Sequence, residues 1–92
     1  MTYYLVGMTF DAFRQLSPRA QLLVVLMKGT YLAQRWDEEV GGVNLYYLSD
    51  GGRGFFVEVA YDDDQARFVV LRSFNSSVPL EDYAQRMRLP GE

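Results

Sequence analysis

The chain contains no cysteine and no histidine. The first absence excludes disulfides, thiolate zinc sites and cysteine nucleophiles together, and it fits a reducing compartment. The second removes the commonest general base and metal ligand near neutral pH. Basic residues are also few, nine against twelve acidic ones for a net charge of −3. Counterion-release binding to nucleic acid therefore has no bulk support. Long hydrophobic runs are missing too: the longest, Leu22 to Met27, is far below the roughly 20 residues that span a bilayer. The segment Met1 to Phe10 has no basic n-region and no small-residue cleavage site, so it does not read as a signal peptide. Internal repeats, low-complexity tracts and linkers are absent. These absences together predict a cytoplasmic protein without a membrane association, a nucleic-acid partner, a metal or a cofactor.

What is present points to a packed fold. Ninety-two residues suit one domain, and a chain 49% hydrophobic is too apolar for a disordered tail. Seven Tyr and six Phe favour strands, where bulky side chains pack on a pleated surface. Apolar burial contributes on the order of 140 kcal/mol, and ordering the chain costs a similar amount. A lone monomer therefore has no assured surplus, and a partner surface would help.

Residues 2–6 have strand-like composition and end at Gly7, which suits a short edge strand; alternatively Met8 is the natural start and the first seven residues are an extension. Thr9 is suited to N-cap a short helix from Phe10 to Leu16, with Phe10, Phe13 and Leu16 on one face. Ser17-Pro18 is a second start signal, for a helix to about Lys28 that stops at Gly29, a residue suited to a helix C-terminus. Leu22 to Met27 wrap most of that helix. A helix apolar nearly all round is buried nearly all round, which predicts a sheet on one side and another subunit on the other.

From Thr30 the hydrophobic period changes to two. Strands are expected at about Thr30–Glu38, Val43–Ser49, Phe55–Tyr61 and Arg67–Phe74, joined by short Gly- and Asp-rich connectors. Such connectors force antiparallel neighbours, because a parallel crossover needs a dozen or more residues. A helix is expected from about Leu80 to Arg88. The fold class is α+β: an N-terminal helix or helix pair on a four-stranded antiparallel β-meander, with a short C-terminal helix. If Ser49 faces Phe55, one sheet face carries Val43, Leu45, Tyr47, Phe55, Val57, Val59 and Tyr61 and takes the long helix. The other carries Asn44, Tyr46, Leu48, Phe56, Glu58 and Ala60, and its aromatics want cover.

Among residues that could carry chemistry, Glu58 stands out, because it interrupts an apolar central strand where a carboxylate needs a partner. Arg72 on the next strand and Arg35 on the first could each reach it. The reading is either a structural cross-strand ion pair or a ligand- or partner-binding face on Arg35, Glu58 and Arg72. Catalysis is disfavoured, since no nucleophile or neutral-range base accompanies them. Asp62-Asp63-Asp64 lacks the spaced oxygens, internal Gly and distal Glu of a calcium loop and reads as a solvated turn. Gly-rich Asp50–Gly54 lacks the strand-loop-helix setting and the Gly-Lys ending of a phosphate loop, and reads as a hairpin. Trp36 and Tyr46, with Tyr47, suggest a stacking platform, but acidic residues outnumber basic ones 12 to 9, so they read better as core or interface.

Lys28-Gly29-Thr30-Tyr31-Leu32-Ala33-Gln34-Arg35, Leu45-Tyr46-Tyr47-Leu48, Phe55-Phe56-Val57-Glu58-Val59-Ala60-Tyr61-Asp62, Arg72-Ser73-Phe74 and Leu80-Glu81-Asp82-Tyr83 lie in that order. This pattern resembles a group of small uncharacterised bacterial proteins with K-G-x-[FY]-L-A-x-R and F-[FY]-V-E-V-x-[YF]-D segments. The resemblance covers about residues 9 to 84, leaves out residues 1–7, and implies a fold without naming an activity. It places Arg35, Glu58 and Asp62 in the shared pattern.

The expectation is a non-enzymatic protein-interaction module that forms a homodimer through the long helix or the second sheet face. Two alternatives stand beside it: a small-ligand or peptide binder using the Arg35/Glu58/Arg72 face, and an antitoxin-like or immunity-like partner of another protein.

Overall fold

The computed structural model describes residues 8–49, 53–81 and 83. The expected edge strand at residues 2–6 and most of the expected C-terminal helix lie outside them.

Helix α1 (Phe10–Arg14) starts where Thr9 Oγ1 accepts from the Ala12 amide at 3.1 Å. It ends two residues before the expected Leu16. Gln15 and Leu16 donate to Ala12 and Phe13 in tightened i→i+3 bonds, because Ser17 must be extended to cap the next helix. Helix α2 (Pro18–Lys28) has the predicted bounds, with Ser17 Oγ accepting from the Ala20 amide at 3.2 Å. Gln21 Nε2 donates to the Phe13 carbonyl at 3.0 Å and ties the two helices together. Gly29 ends α2 in an extended conformation, φ −75°. Glycine is needed here for space: a Cβ would lie 2.6 Å from the Val25 carbonyl oxygen and 3.3 Å from Tyr46 Cβ.

Strands β1 (Thr30–Asp37), β2 (Gly41–Ser49), β3 (Gly54–Asp62) and β4 (Arg67–Phe74) form one antiparallel sheet in the order β1-β2-β3-β4. The two outer hairpins share one turn design. Asp37 Oδ1 accepts from the amides of Glu39 and Val40, and Asp62 Oδ1 accepts from those of Asp64 and Gln65. Four residues after each Asp the backbone turns left-handed, at Gly41 (φ 85°) and at Ala66 (φ 55°).

The central hairpin corrects the expected register by one residue. Ser49 opposes Gly54 and Leu48 opposes Phe55, since Gly54 joins the strand. A one-residue slip transfers a whole strand's side chains to the opposite face. The helix side therefore carries Tyr46 and Leu48 from β2 beside Phe55, Val57 and Val59 from β3. Val43, Leu45 and Tyr47 share the far side with Phe56, Glu58 and Ala60.

Phe13, Val25, Leu48, Phe55, Val57 and Val59 make the buried core under the helices, with the Phe55 ring 5.4 Å from Phe10 and 5.2 Å from Phe13. A second core lies on the far side, where Leu45, Phe74 and Tyr83 pack with Ala33, Phe56 and Leu80. The far face thus has its cover from the same chain. After β4 the backbone makes a 3₁₀ turn, Val78–Leu80, and Glu81 and Tyr83 are helical, in line with a helix expected from about Leu80; Leu80 and Tyr83 pack onto Leu45 and Phe74.

Each outer strand is interrupted once. The pairing shifts between Tyr31 and Ala33 in β1 and beside Glu58/Val59 against β4, leaving Leu32 and Leu71 as the extra residues. Among the described residues no helix is long and apolar enough to cross a membrane.

Candidate functional site: a buried carboxylate with three partners

The β4 interruption decides which side chain Glu58 meets. Continued without a break from Val59–Val70, the ladder would set Leu71 against Glu58; the bulge sets Arg72 there instead. Arg35 arrives from two strands away. It pairs with Val43, whose partner on β3 is Ala60, so its side chain crosses β2 diagonally to reach Glu58. Tyr83 comes from the C-terminal segment.

These groups saturate the carboxylate. Arg35 donates from Nε to Oε2 at 3.0 Å and from Nη2 to Oε1 at 3.2 Å. Arg72 donates from Nε to Oε1 at 2.6 Å and from Nη2 to Oε2 at 3.3 Å. The Tyr83 hydroxyl donates to Oε2 at 2.6 Å. Both arginines are therefore bidentate, the geometry in which guanidinium binds carboxylate best. Arg35 also reaches Asp37 Oδ2 from Nη1 at 3.4 Å, so among the described residues two guanidiniums meet two carboxylates. The Arg35 guanidinium lies 5.8 Å from the Tyr83 ring centroid, and that of Arg72 lies 5.2 Å from the Phe74 ring.

Glu58 has no exposed surface and Arg35 has 8%, whereas the Arg72 side chain keeps 41%. Burial alone would push the Glu58 carboxyl up. The hydrogen bonds from Arg35, Arg72 and Tyr83 outweigh it and hold the group below its ordinary value. The bond to Glu58 raises Arg35 against the opposing effect of burial. Burial first, then the bond to Glu58, raises the Tyr83 hydroxyl. A carboxylate in this state is a poor base and has few lone pairs left for a substrate. Its chemistry is that of an anchor joining β1, β3, β4 and the C-terminal segment.

Of the five residues singled out by sequence, the structure brings Arg35, Glu58 and Arg72 together and separates the other two. Tyr46 lies on the helix side, against the α2 core and 5.8 Å from the Tyr31 ring. Trp36, next to Arg35 in β1, points to that same side and is 69% exposed. The one-residue register change moves Tyr46 away from Glu58, and simple alternation moves Trp36. Tyr83 was missed as a member of the site. The sequence signals for it were its place in the Leu80-Glu81-Asp82-Tyr83 segment of the resemblance and an apolar Val78-Pro79-Leu80 step just before it. Asp62-Asp63-Asp64 opens the β3–β4 turn, as expected, with Asp62 Oδ1 accepting from the amides of Asp64 and Gln65; among the described residues no three His, Cys, Asp or Glu side chains are grouped to hold a metal ion.

Against protein-family models, curated proteins and solved structures, the chain matches none. Function is therefore argued from the site and the surface alone.

Proposed function

We propose that the protein is a homodimeric interaction module, acting by association rather than by chemistry, with α2 at the subunit interface. The observation that carries this reading is the outward face of α2. Leu23, Leu26 and Met27 are 54%, 55% and 78% exposed, at the i, i+3, i+4 spacing of a helix-packing stripe. Tyr31 and Leu32, just beyond the helix, are exposed as well. A fully buried side chain of this size is worth about 1.5–3 kcal/mol. Five half-exposed ones on each of two copies then offer on the order of 10 kcal/mol, against an association cost starting at about 4 kcal/mol. The balance suits a dissociation constant in the micromolar range.

The other interface that sequence allowed, the far sheet face, has Leu80 and Tyr83 packed on it. Pairing through outer strands is opposed by the bulge in each, a feature that spoils edge-to-edge registration. A small-ligand or peptide site on Arg35, Glu58 and Arg72 has less support, because five bonds within the chain occupy the carboxylate. An antitoxin-like or immunity-like role would use the same α2 stripe for a different chain.

Light scattering after size exclusion tests the proposal. The expected mass moves from 10.6 kDa toward twice that as the loading concentration rises through the micromolar range, and Leu26→Asp with Met27→Asp abolishes the change. A constant monomer mass at all loadings overturns it.

A further inference from the structure

The helices cover only part of their side of the sheet. Beyond Val59 and Val70 that face continues toward the end of the sheet that holds the β1–β2 and β3–β4 turns. There Trp36 opposes Gly42, and Tyr61 opposes Phe68. The β2–β3 register, continued one residue past Val43–Ala60, sets Gly42 beside Tyr61. One row across all four strands therefore reads Trp36, Gly42, Tyr61, Phe68. Its three aromatic residues are 69%, 43% and 47% exposed, and the Tyr61 and Phe68 rings meet edge to face at 5.2 Å.

The glycine turns this row into a groove. Strands lie about 4.8 Å apart, so the Trp36 and Tyr61 positions stand roughly 10 Å apart, and β2 between them carries Gly42, with the Trp36 ring edge beside Gly41. The adjoining row supplies a polar floor, where Gln34 Nε2 donates to Asn44 Oδ1 at 3.0 Å. Gln34 leans over the glycine: a Cβ on Gly42 would come within 3.1 Å of its Nε2. Around the groove acidic residues outnumber basic ones: Arg67, beside Phe68, faces Asp62 across the β3–β4 pair, and four further carboxylates surround it. Glu38 and Glu39 on one turn and Asp63 and Asp64 on the other are exposed and in no ion pair among the described residues.

We propose that this end of the sheet binds an extended, proline-rich peptide segment carrying a basic residue. A polyproline II chain has no internal hydrogen bonds and presents flat pyrrolidine rings, which dock between aromatic side chains. Its bare carbonyls need donors. Among the described residues the Trp36 indole N–H and the Tyr61 hydroxyl donate to no protein acceptor, and both border the groove. The four turn carboxylates select a cationic peptide over a neutral or acidic one. The site does not rest on pairing through α2, and a monomer presents it equally.

Trp36 is the only tryptophan in the chain, so its emission reports the groove directly. The full-length protein is titrated with the fluorescein-labelled peptide Arg-Pro-Leu-Pro-Pro-Leu-Pro, following anisotropy and Trp36 emission together. The expected result is saturable binding below about 1 mM with a shift in emission. Trp36→Ala and Tyr61→Ala should each weaken it at least about tenfold, with unchanged thermal melts. Replacing the peptide's Arg by Glu, or introducing Glu39→Lys with Asp64→Lys, should weaken it comparably. No saturation by about 1 mM, or binding untouched by Trp36→Ala, overturns the proposal. So does a neutral cello-oligosaccharide that saturates the Trp36 signal when the peptide does not, because the groove would then be a glycan site.

Discussion

At the scale of the residue, Glu58 shows how a buried charge is tolerated in so small a protein. Its desolvation is offset only by the complete set of donors, so removing the charge should cost more than removing one donor. Glu58→Gln leaves the buried Arg35 guanidinium with only the longer 3.4 Å contact to Asp37, and the expected loss is about 3–5 kcal/mol. Tyr83→Phe removes one of five hydrogen bonds and should cost about 1–1.5 kcal/mol. Urea melts of the two variants check the ranking, with a shifted midpoint at unchanged slope as the sign of a simple stability loss. The pH dependence follows from the same group. The Glu58 carboxyl is held below its ordinary value of 4.5, so its contribution is complete above that pH and is lost as pH falls through the lowered folded value. Asp37, held down mainly by the Glu39 amide, and Asp62, held down mainly by Gln65, act in the same direction. Tyr83 is raised above its ordinary value of 10.0, so its contribution is complete below that pH and is lost above it. Stability should therefore be flat from about pH 5 to pH 10 and fall on both sides, with Tyr83→Phe flattening the alkaline limb alone in urea midpoints taken across pH.

At the scale of the element, the twin turns provide an internal control. After its capping Asp, one turn uses Gly41 and the other Ala66 for the same left-handed step. A Cβ is unfavourable there, and Ala66→Gly should raise stability by about 0.5–1 kcal/mol in a denaturant melt. Gly29→Ala should lower it, because the added methyl meets the Val25 carbonyl oxygen at 2.6 Å. Local signals made these elements readable in advance. Thr9 and Ser17 mark helix starts, short connectors fix the antiparallel order, α2 ends where the hydrophobic period changes, and β4 has the expected bounds. The interior of the sheet was less readable. Phe55 and Gly54 are equally plausible partners for Ser49 when only turn length is counted, and that choice flips β2. The bulge that exchanges Leu71 for Arg72 opposite Glu58 leaves no local mark either, since it is fixed by what Glu58 needs from β4. Proximity of Arg35, Glu58 and Arg72 was therefore legible from strand order, whereas the fivefold saturation by side chains that include Tyr83 was a property of the assembled fold.

At the scale of the whole molecule, the proposed dimer makes stability depend on concentration. A partner that binds only the folded chain raises the melting temperature by mass action, so the wild type should melt higher at high than at low micromolar concentration, and the Leu26→Asp, Met27→Asp variant should melt at one temperature throughout. The two bulged outer strands set a further condition on how far such association goes. A helix stripe meeting its own copy is used up by the meeting, and the contact closes around a two-fold axis. A flat outer strand would instead offer a fresh template after every addition. With Leu32 and Leu71 displaced from the ladders at either border, neither described outer strand offers an unbroken template, and sedimentation at rising concentration should find a ceiling at two chains rather than a ladder of larger species.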